Sequence, residues 1–131
     1  MELNDGYILM HKRFIGEGKH SRVFHGAHKL LPDNTVVIKL IRDHDAYKRE
    51  LSALRQLHNK ANVPTILSTG SINVLKYIVI PKYELTLHDF IKYNGAMELN
   101  NALYLLYELI VSLEEIHSNN IVHRDIKPMN I

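Results

Sequence analysis

Apolar and polar positions divide the chain into a strand-rich first part and a helical second part. Short apolar runs between turn residues predict strands at residues 7–15, 22–28 and 35–41, and two more within residues 65–80. The first strand is predicted to end at Gly16 and Gly18, and Leu-Pro-Asp-Asn at residues 31–34 predicts a turn before the third. We therefore expect a five-stranded antiparallel sheet.

A helix is predicted between the third and fourth strands. Leucines four and seven residues after Glu50 give helical spacing, with Asp43 or Asp45 as the cap and Pro64 ending the helical region. This spacing places Glu50 on the packed face of the helix. A buried carboxylate on that face needs a partner, because an unpaired buried charge costs several kcal/mol.

The second part of the chain is helical, with a short helix at residues 85–93 and a long one at residues 99–117. The long helix carries an apolar stripe that needs burial, made by Leu99, Leu103, Leu106, Ile110 and Leu113. Core positions are also predicted for the tyrosines Tyr77, Tyr83, Tyr93, Tyr104 and Tyr107. These patterns predict an α+β fold, with a sheet and one helix at residues 7–80, a hinge at residues 81–84 and a helical part at residues 85–131.

Composition narrows the class of protein. With 131 residues and 46% hydrophobic content the chain can form a core, and a net charge of +2 without a long basic run argues against a nucleic-acid partner. No apolar segment approaches the ~20 residues that cross a bilayer, so no membrane partner is expected. The chain has no cysteine and its first residues lack the order of a signal peptide, so we expect an intracellular protein of the cytoplasm or nucleus.

A glycine-containing run lies between the first two predicted strands. Gly16, Gly18, Ser21 and Val23 form a GxGxxSxV pattern. Glycines let the backbone approach a polyphosphate and turn N–H groups toward it. The run alone is also typical of an ordinary hairpin turn, so its context must decide between these two interpretations.

A lysine on the third predicted strand changes the interpretation. Lys39 follows three β-branched residues, where it could be a solvent-facing charge on a sheet edge. Glu50 lies 11 residues later on the packed face of the helix and is the obvious partner for this lysine. An ion pair between Lys39 and Glu50 is therefore predicted.

The end of the sequence carries the most specific motif. Residues 121–131 read Ile-Val-His-Arg-Asp-Ile-Lys-Pro-Met-Asn-Ile, with Asp125, Lys127 and Asn130 in an HRDxKPxN pattern. This pattern resembles the catalytic loop of eukaryotic-type protein kinases, and the resemblance runs from about Tyr7 to Ile131. The lysine at position 127 resembles the lysine found at this place in the serine/threonine branch of that family.

The resemblance implies a role for each motif residue, with ATP and Mg²⁺ as cofactors. Asp125 would be the catalytic base, Lys127 would neutralise the γ-phosphate and Asn130 would hold Mg²⁺. Lys39 would contact the α- and β-phosphates, with Glu50 fixing its position. The implied nucleotide-binding residues are Gly16, Gly18, Ser21, Val23, Val37, Lys39, the gatekeeper Ile80 and the hinge residue Tyr83.

Some positions depart from the family pattern. Ser21 replaces the third glycine, and Val37 replaces the usual alanine over the adenine and narrows that pocket. The sequence ends at Ile131 before any DFG or APE motif, so we expect an incomplete helical C-lobe and poor catalysis by the chain as given. The exposed apolar helix would then suit a partner protein.

These observations leave several hypotheses. The first is an ATP- and Mg²⁺-dependent protein kinase that phosphorylates serine or threonine in a protein substrate. The alternative is a catalytically inactive, truncated kinase mimic that regulates by binding a protein. A small-molecule kinase of related fold is disfavoured, because such enzymes usually lack the Lys127-Pro128 step beside the catalytic aspartate.

Overall fold

An antiparallel sheet occupies the first part of the chain. The computed structural model describes residues 1–131, and its strands are β1 (Tyr7–Glu17), β2 (Ser21–His28), β3 (Leu31–Ile41), β4 (Ser68–Ile72) and β5 (Leu75–Pro81). They lie in the order β1-β2-β3-β5-β4, and every neighbouring pair is antiparallel. The predicted five-stranded sheet and the α+β class are confirmed.

The helices are α1 (His44–Gln56), α2 (Leu87–Asn94) and α3 (Leu99–Ser118), followed by one 3₁₀ turn at Pro128–Asn130. Asp43 caps α1, since its Oδ1 accepts a hydrogen bond of 2.8 Å from the Ala46 N–H. Thr86 caps α2 in the same way, accepting from the Asp89 N–H at 3.1 Å. No helix is long and apolar enough to cross a membrane.

The chain forms two compact units. One contains Met1–Asn59 and Pro64–Lys82, with the sheet and α1, and the other contains Lys60–Val63 and Tyr83–Ile131, with α2 and α3. The short segment joins α3 through an ion pair of 2.7 Å between Lys60 Nζ and Glu115 Oε1. The second unit therefore contains a short segment that precedes β4 and β5 in the sequence.

The sheet has two faces with different coverings. Side chains alternate along a strand, so Lys39 projects from one face while Ile38 and Leu40 project from the other. We call the Lys39 side the front face, because α1 packs there against Ile41 and Ile78 through Tyr47 and Leu51. The back face forms a second core with Leu3, Leu9, Val36, Ile38, Leu40, Tyr77 and Val79.

Three predicted boundaries were wrong. Residues 31–34 are not a turn but the start of β3, because Leu31 pairs with His28 and the connection shortens to two residues. β1 continues past Gly16 to Glu17, since Gly16 pairs with Val23 across the hairpin. α1 ends at Gln56 rather than near Pro64, and the chain leaves it through the left-handed residues Asn59 and Asn62.

The apolar stripe of α3 is exposed, as expected from the sequence, whereas most of the predicted core tyrosines are not buried. The exposed stripe includes Leu99, Leu103, Leu106 and Ile110, and α3 has no buried residue. Of the five tyrosines assigned to the core, only Tyr77 is buried, whereas Tyr83, Tyr93, Tyr104 and Tyr107 are exposed. Helical spacing gave the location of α3 correctly, but it carried no information about what covers the helix.

Gly26 in β2 leads to a stability prediction. A Cβ added there would lie 2.8 Å from the Ile8 carbonyl oxygen and closer still to the Ile38 side chain on the back face. We expect Gly26→Ala to destabilise the protein by about 1–3 kcal/mol, because a well-packed core resists an added methyl group. Urea unfolding would measure this change. Gly16→Ala is the control, because a Cβ at Gly16 would meet nothing within 4 Å, and equal unfolding midpoints for the two variants would refute the clash.

Candidate functional site

The turn between β1 and β2 places the glycine run at one edge of the front face. Gly16 pairs with Val23 and Glu17 pairs with Arg22, while the Gly18 N–H donates a hydrogen bond of 2.8 Å to the Ser21 carbonyl oxygen. A Cβ at Gly16 would meet no atom within 4 Å. The space beside Gly16 is therefore open, as a loop that receives a bulky anion requires.

The ion pair predicted between Lys39 and Glu50 is present in the first unit. Lys39 Nζ lies 2.7 Å from Glu50 Oε1 and 2.8 Å from Oε2, so it donates to both carboxylate oxygens. The side chains are 32% and 33% exposed, so the pair is partly shielded from solvent while still open on one side. Because Tyr47 and Leu51 anchor α1 on the sheet, Glu50 is held toward β3.

Apolar side chains lie next to this pair on the front face. Val23 is directly opposite Lys39 in the β2–β3 ladder, and Val37 lies two residues before Lys39 and opposite Ile80. Val23 and Val37 belong to neither buried cluster, whereas Ile80 packs against the α1 cluster. The two valines thus give the front face an apolar area that a flat heterocycle can cover.

In the second unit, the segment after α3 is organised around Asp125. Asn130 Nδ2 donates to Asp125 Oδ2 at 2.9 Å and to its carbonyl oxygen at 2.8 Å, while Lys127 Nζ lies 3.1 Å from Oδ2. The Asp125 N–H donates to His123 Nδ1 at 3.2 Å, and Arg124 adopts a left-handed φ of 67°. These contacts fold the segment back on itself and bring together the three residues that the sequence selected.

The same contacts determine the charge of Asp125. Hydrogen bonds from Lys127, and then from Asn130, hold the pKa of the Asp125 carboxyl below its ordinary value. The carboxylate is therefore ionised throughout the neutral range. It can accept a hydrogen bond from a hydroxyl or bind a cation without first losing a proton.

The Asp125 segment is anchored on α2. The Leu87 N–H donates a hydrogen bond of 2.7 Å to the Ile131 carbonyl oxygen, and the 3₁₀ turn packs against the same helix. An apolar groove of about 230 Å³ adjoins this contact and is lined in part by Phe90, Leu105 and Ile131. The N-terminal end of α2 therefore holds Ile131, the residue that follows Asn130.

Within each unit, the residues fit a different part of ATP with Mg²⁺. The first unit offers a cationic Lys39 held by a carboxylate, an open glycine turn and the half-buried valines of the front face. The second unit offers the Asp125 carboxylate and the Asn130 amide, whose oxygens are the hard ligands that Mg²⁺ prefers. Tyr83 belongs to this second unit and is 60% exposed.

Comparison with known proteins shows the family of this chain. The protein kinase domain family matches residues 9–131. The serine/threonine-protein kinase PrkC of Bacillus subtilis is 32% identical over 128 residues, covering 91% of this chain and 19% of that kinase. A probable serine/threonine-protein kinase of Clostridium perfringens is 32% identical, covering 98% and 20%. Cyclin-dependent kinase 17 of Caenorhabditis elegans is also 32% identical, covering 89% and 18%.

The chain belongs to the protein kinase domain family. Its similarity to proteins named serine/threonine-protein kinases confirms the family that the HRDxKPxN pattern indicated. The chain spans about a fifth of the length of these curated relatives.

One ion pair and one histidine–carboxylate contact near the glycine turn were missed in the sequence. Arg22 Nε lies 2.9 Å from Glu17 Oε1 across the hairpin, and His20 Nδ1 lies 3.7 Å from Asp43 Oδ2. The first could have been found from the hairpin register, since Glu17 and Arg22 are symmetric about the turn. The second joins residues 23 positions apart and has no local signal.

Proposed function

We propose that this protein binds ATP with Mg²⁺ and transfers the γ-phosphoryl group to a serine or threonine hydroxyl of a protein substrate. The observation that carries the proposal is the Lys39–Glu50 pair, in which one carboxylate holds the ammonium group with both oxygens beside an open glycine turn. Partial burial of a charged pair costs desolvation free energy that an apolar pair would not cost. The presence of Lys39 and Glu50 at this position therefore supports a role in binding.

In this proposal the first unit binds the nucleotide. Backbone N–H groups of the Gly16–Ser21 turn, other than that of Gly18, which is bonded to Ser21, offset the negative charge of the phosphates together with the Lys39 ammonium group. Glu50 holds the Lys39 side chain in place. Val23 and Val37 cover the adenine and Ile80 limits the depth of the pocket. Residues 7–80 then act as the nucleotide lobe and residues 81–84, with Tyr83, as the hinge before residues 85–131.

The second unit performs the chemistry in this proposal. ATP supplies the phosphoryl group, and Asp125 orients the acceptor hydroxyl and receives its proton. A carboxylate with a lowered pKa is a weak base, which suits a loose transition state in which positioning matters more than early deprotonation. Lys127 offsets charge on the transferring group, and Asn130 offers its amide oxygen to Mg²⁺.

A transfer assay with matched peptides tests the acceptor class. We expect the protein with Mg²⁺ and labelled ATP to label peptides that differ only in carrying serine or threonine at one position, and to label the tyrosine version at least about 10-fold more slowly. An alanine version is the blank. Preferred labelling of the tyrosine peptide would contradict the serine/threonine assignment.

The exposed stripe on α3 supports a second candidate, a regulator that works by binding a protein. Apolar side chains such as Leu103 and Ile110 form an exposed surface of the kind that interfaces cover. The same assay separates the two candidates. Nucleotide binding without labelling of any peptide would favour the regulator, whereas labelling that depends on Asp125 would favour the kinase.

A further inference from the structure

His20 lies in the glycine turn and contacts the residues that lead into α1. Its carbonyl oxygen accepts a hydrogen bond of 3.1 Å from the Arg42 N–H. Its ring Nδ1 lies 3.7 Å from Asp43 Oδ2, which is an electrostatic contact rather than a hydrogen bond. The turn is thus attached at two points to the start of α1.

Asp43 has a second role at the same place. While its Oδ2 faces His20, its Oδ1 caps α1 by accepting the Ala46 N–H at 2.8 Å. β3 ends at Ile41 and α1 begins at His44, so only two residues connect the strand to the helix. About two helical turns after this cap, the same helix presents Glu50 to Lys39.

We propose that His20 and Asp43 are positioning residues that couple the glycine turn to the Lys39–Glu50 pair, and that protonation of His20 strengthens this coupling. The inference rests on the proposed nucleotide binding at the same site. A turn held against the start of α1 keeps its N–H groups and the Lys39 ammonium group in one arrangement, so that phosphates meet both at once. Such preorganisation raises affinity by reducing the ordering cost of binding.

The charges around His20 decide the sign of the pH effect. Asp43 faces the ring directly, and Arg49 on α1 also acts on Asp43. On the turn itself, Lys19 is adjacent to His20, and at the start of β2 Arg22 is already paired with Glu17. The hydrogen bond from Ala46 holds the pKa of Asp43 below its ordinary value, so its carboxylate is charged at neutral pH and attracts an imidazolium ring more strongly than a neutral imidazole. The coupling is therefore stronger at the acid end of the range than at the alkaline end.

The first experiment measures the affinity for MgATP between pH 5.5 and 8.0. Asp43→Asn is the informative variant, because asparagine caps a helix as well as aspartate but has no charge. We expect the ratio of wild-type to Asp43→Asn affinity to be about 2- to 5-fold at the acid end and close to one at the alkaline end, the size of an exposed ion pair. The ratio cancels the protonation of ATP itself.

Matched variants check the assignment to His20. His20→Asn should behave as Asp43→Asn does, and combining the two substitutions should add nothing further. Arg22→Gln is the control, because it also changes a charge near the turn but leaves α1 untouched, and its affinity ratio to wild type should not vary with pH. If the ratio of wild-type to Asp43→Asn affinity stays constant with pH, the inference is wrong.

The second experiment needs no nucleotide. Amide hydrogen exchange is compared at one acidic pH between wild type and Asp43→Asn, and we expect about 2- to 5-fold faster exchange at Arg42, whose N–H is bonded to His20, with Ala46 protected in both proteins. Unchanged exchange at Arg42 would overturn the coupling. Absence of nucleotide binding by wild type at every pH would instead contradict the proposed function. The exchange result would still decide whether the His20 contact holds the turn.

Discussion

Replacing Lys39 with methionine should weaken MgATP binding by about 10- to 100-fold. Methionine keeps much of the side-chain length but removes a charged donor, and hydrogen bonds to charged groups are worth about 1.5–3 kcal/mol. Glu50 then loses its partner and adds a negative charge near the phosphates. Isothermal titration of ATP into both proteins, with and without Mg²⁺, measures the difference.

The control for this prediction is Lys48→Met. Lys48 lies on α1 and is exposed, so the substitution removes the same charge from the same unit without touching the Lys39–Glu50 pair. We expect its affinity to stay within about twofold of wild type, as for a single exposed charge. Thermal unfolding of both variants shows whether either has lost the fold, and equal losses of affinity would mean that Lys39 has no special part in binding.

Replacing Asp125 with asparagine should slow phosphoryl transfer by about 100- to 10,000-fold, the usual contribution of a positioned acid or base. Asparagine preserves the size of the side chain and can still accept a hydrogen bond from Asn130, but it cannot take the hydroxyl proton. Nucleotide affinity should change little, because the proposed nucleotide contacts lie mainly in the first unit. The rate is measured with labelled ATP and the serine peptide.

Glu114→Gln is the matched control for Asp125. Glu114 is exposed on α3 in the same unit, so its replacement removes one carboxylate charge away from the Asp125 segment. We expect its transfer rate to remain within about twofold of wild type, as for an exposed charge. If Asp125→Asn transferred phosphate as fast as Glu114→Gln, the role assigned to Asp125 would be wrong.

Much of the fold and the candidate site could be predicted from the sequence, because the signals are local. Alternation along β3 and helical spacing around Glu50 put Lys39 and a carboxylate on facing elements, and the structure brings them to 2.7 Å. Asp125, Lys127 and Asn130 lie within six residues of one another, so a short turn was enough to bring them together.

Strand register was harder to predict. Leu-Pro-Asp-Asn at residues 31–34 has turn composition, but pairing of Leu31 with His28 extends β3 and shortens the connection. Composition reports the intrinsic preference of four residues, whereas the ladder adds hydrogen bonds with the neighbouring strand. Tertiary pairing therefore overrode local preference at this position.

Contacts between residues far apart in the chain could not be predicted from the sequence. The His20–Asp43 contact depends on how the β1–β2 turn folds against the start of α1, and no spacing rule relates the two residues. The surface that covers α3 is likewise not given by the sequence, since the apolar stripe shows that a helix forms but not which surface it meets. Both features depend on tertiary contacts.

Mapping MgATP binding residue by residue tests the central claim most directly. Backbone amide signals of the isotopically labelled protein are followed by NMR during titration with MgATP. We expect saturable changes at Gly16, Gly18, Val23 and Lys39, with little change at the back-face residue Leu9. Absence of saturable changes, or changes confined to residues outside the front face and the glycine turn, would contradict the assignment of this unit as a nucleotide-binding site.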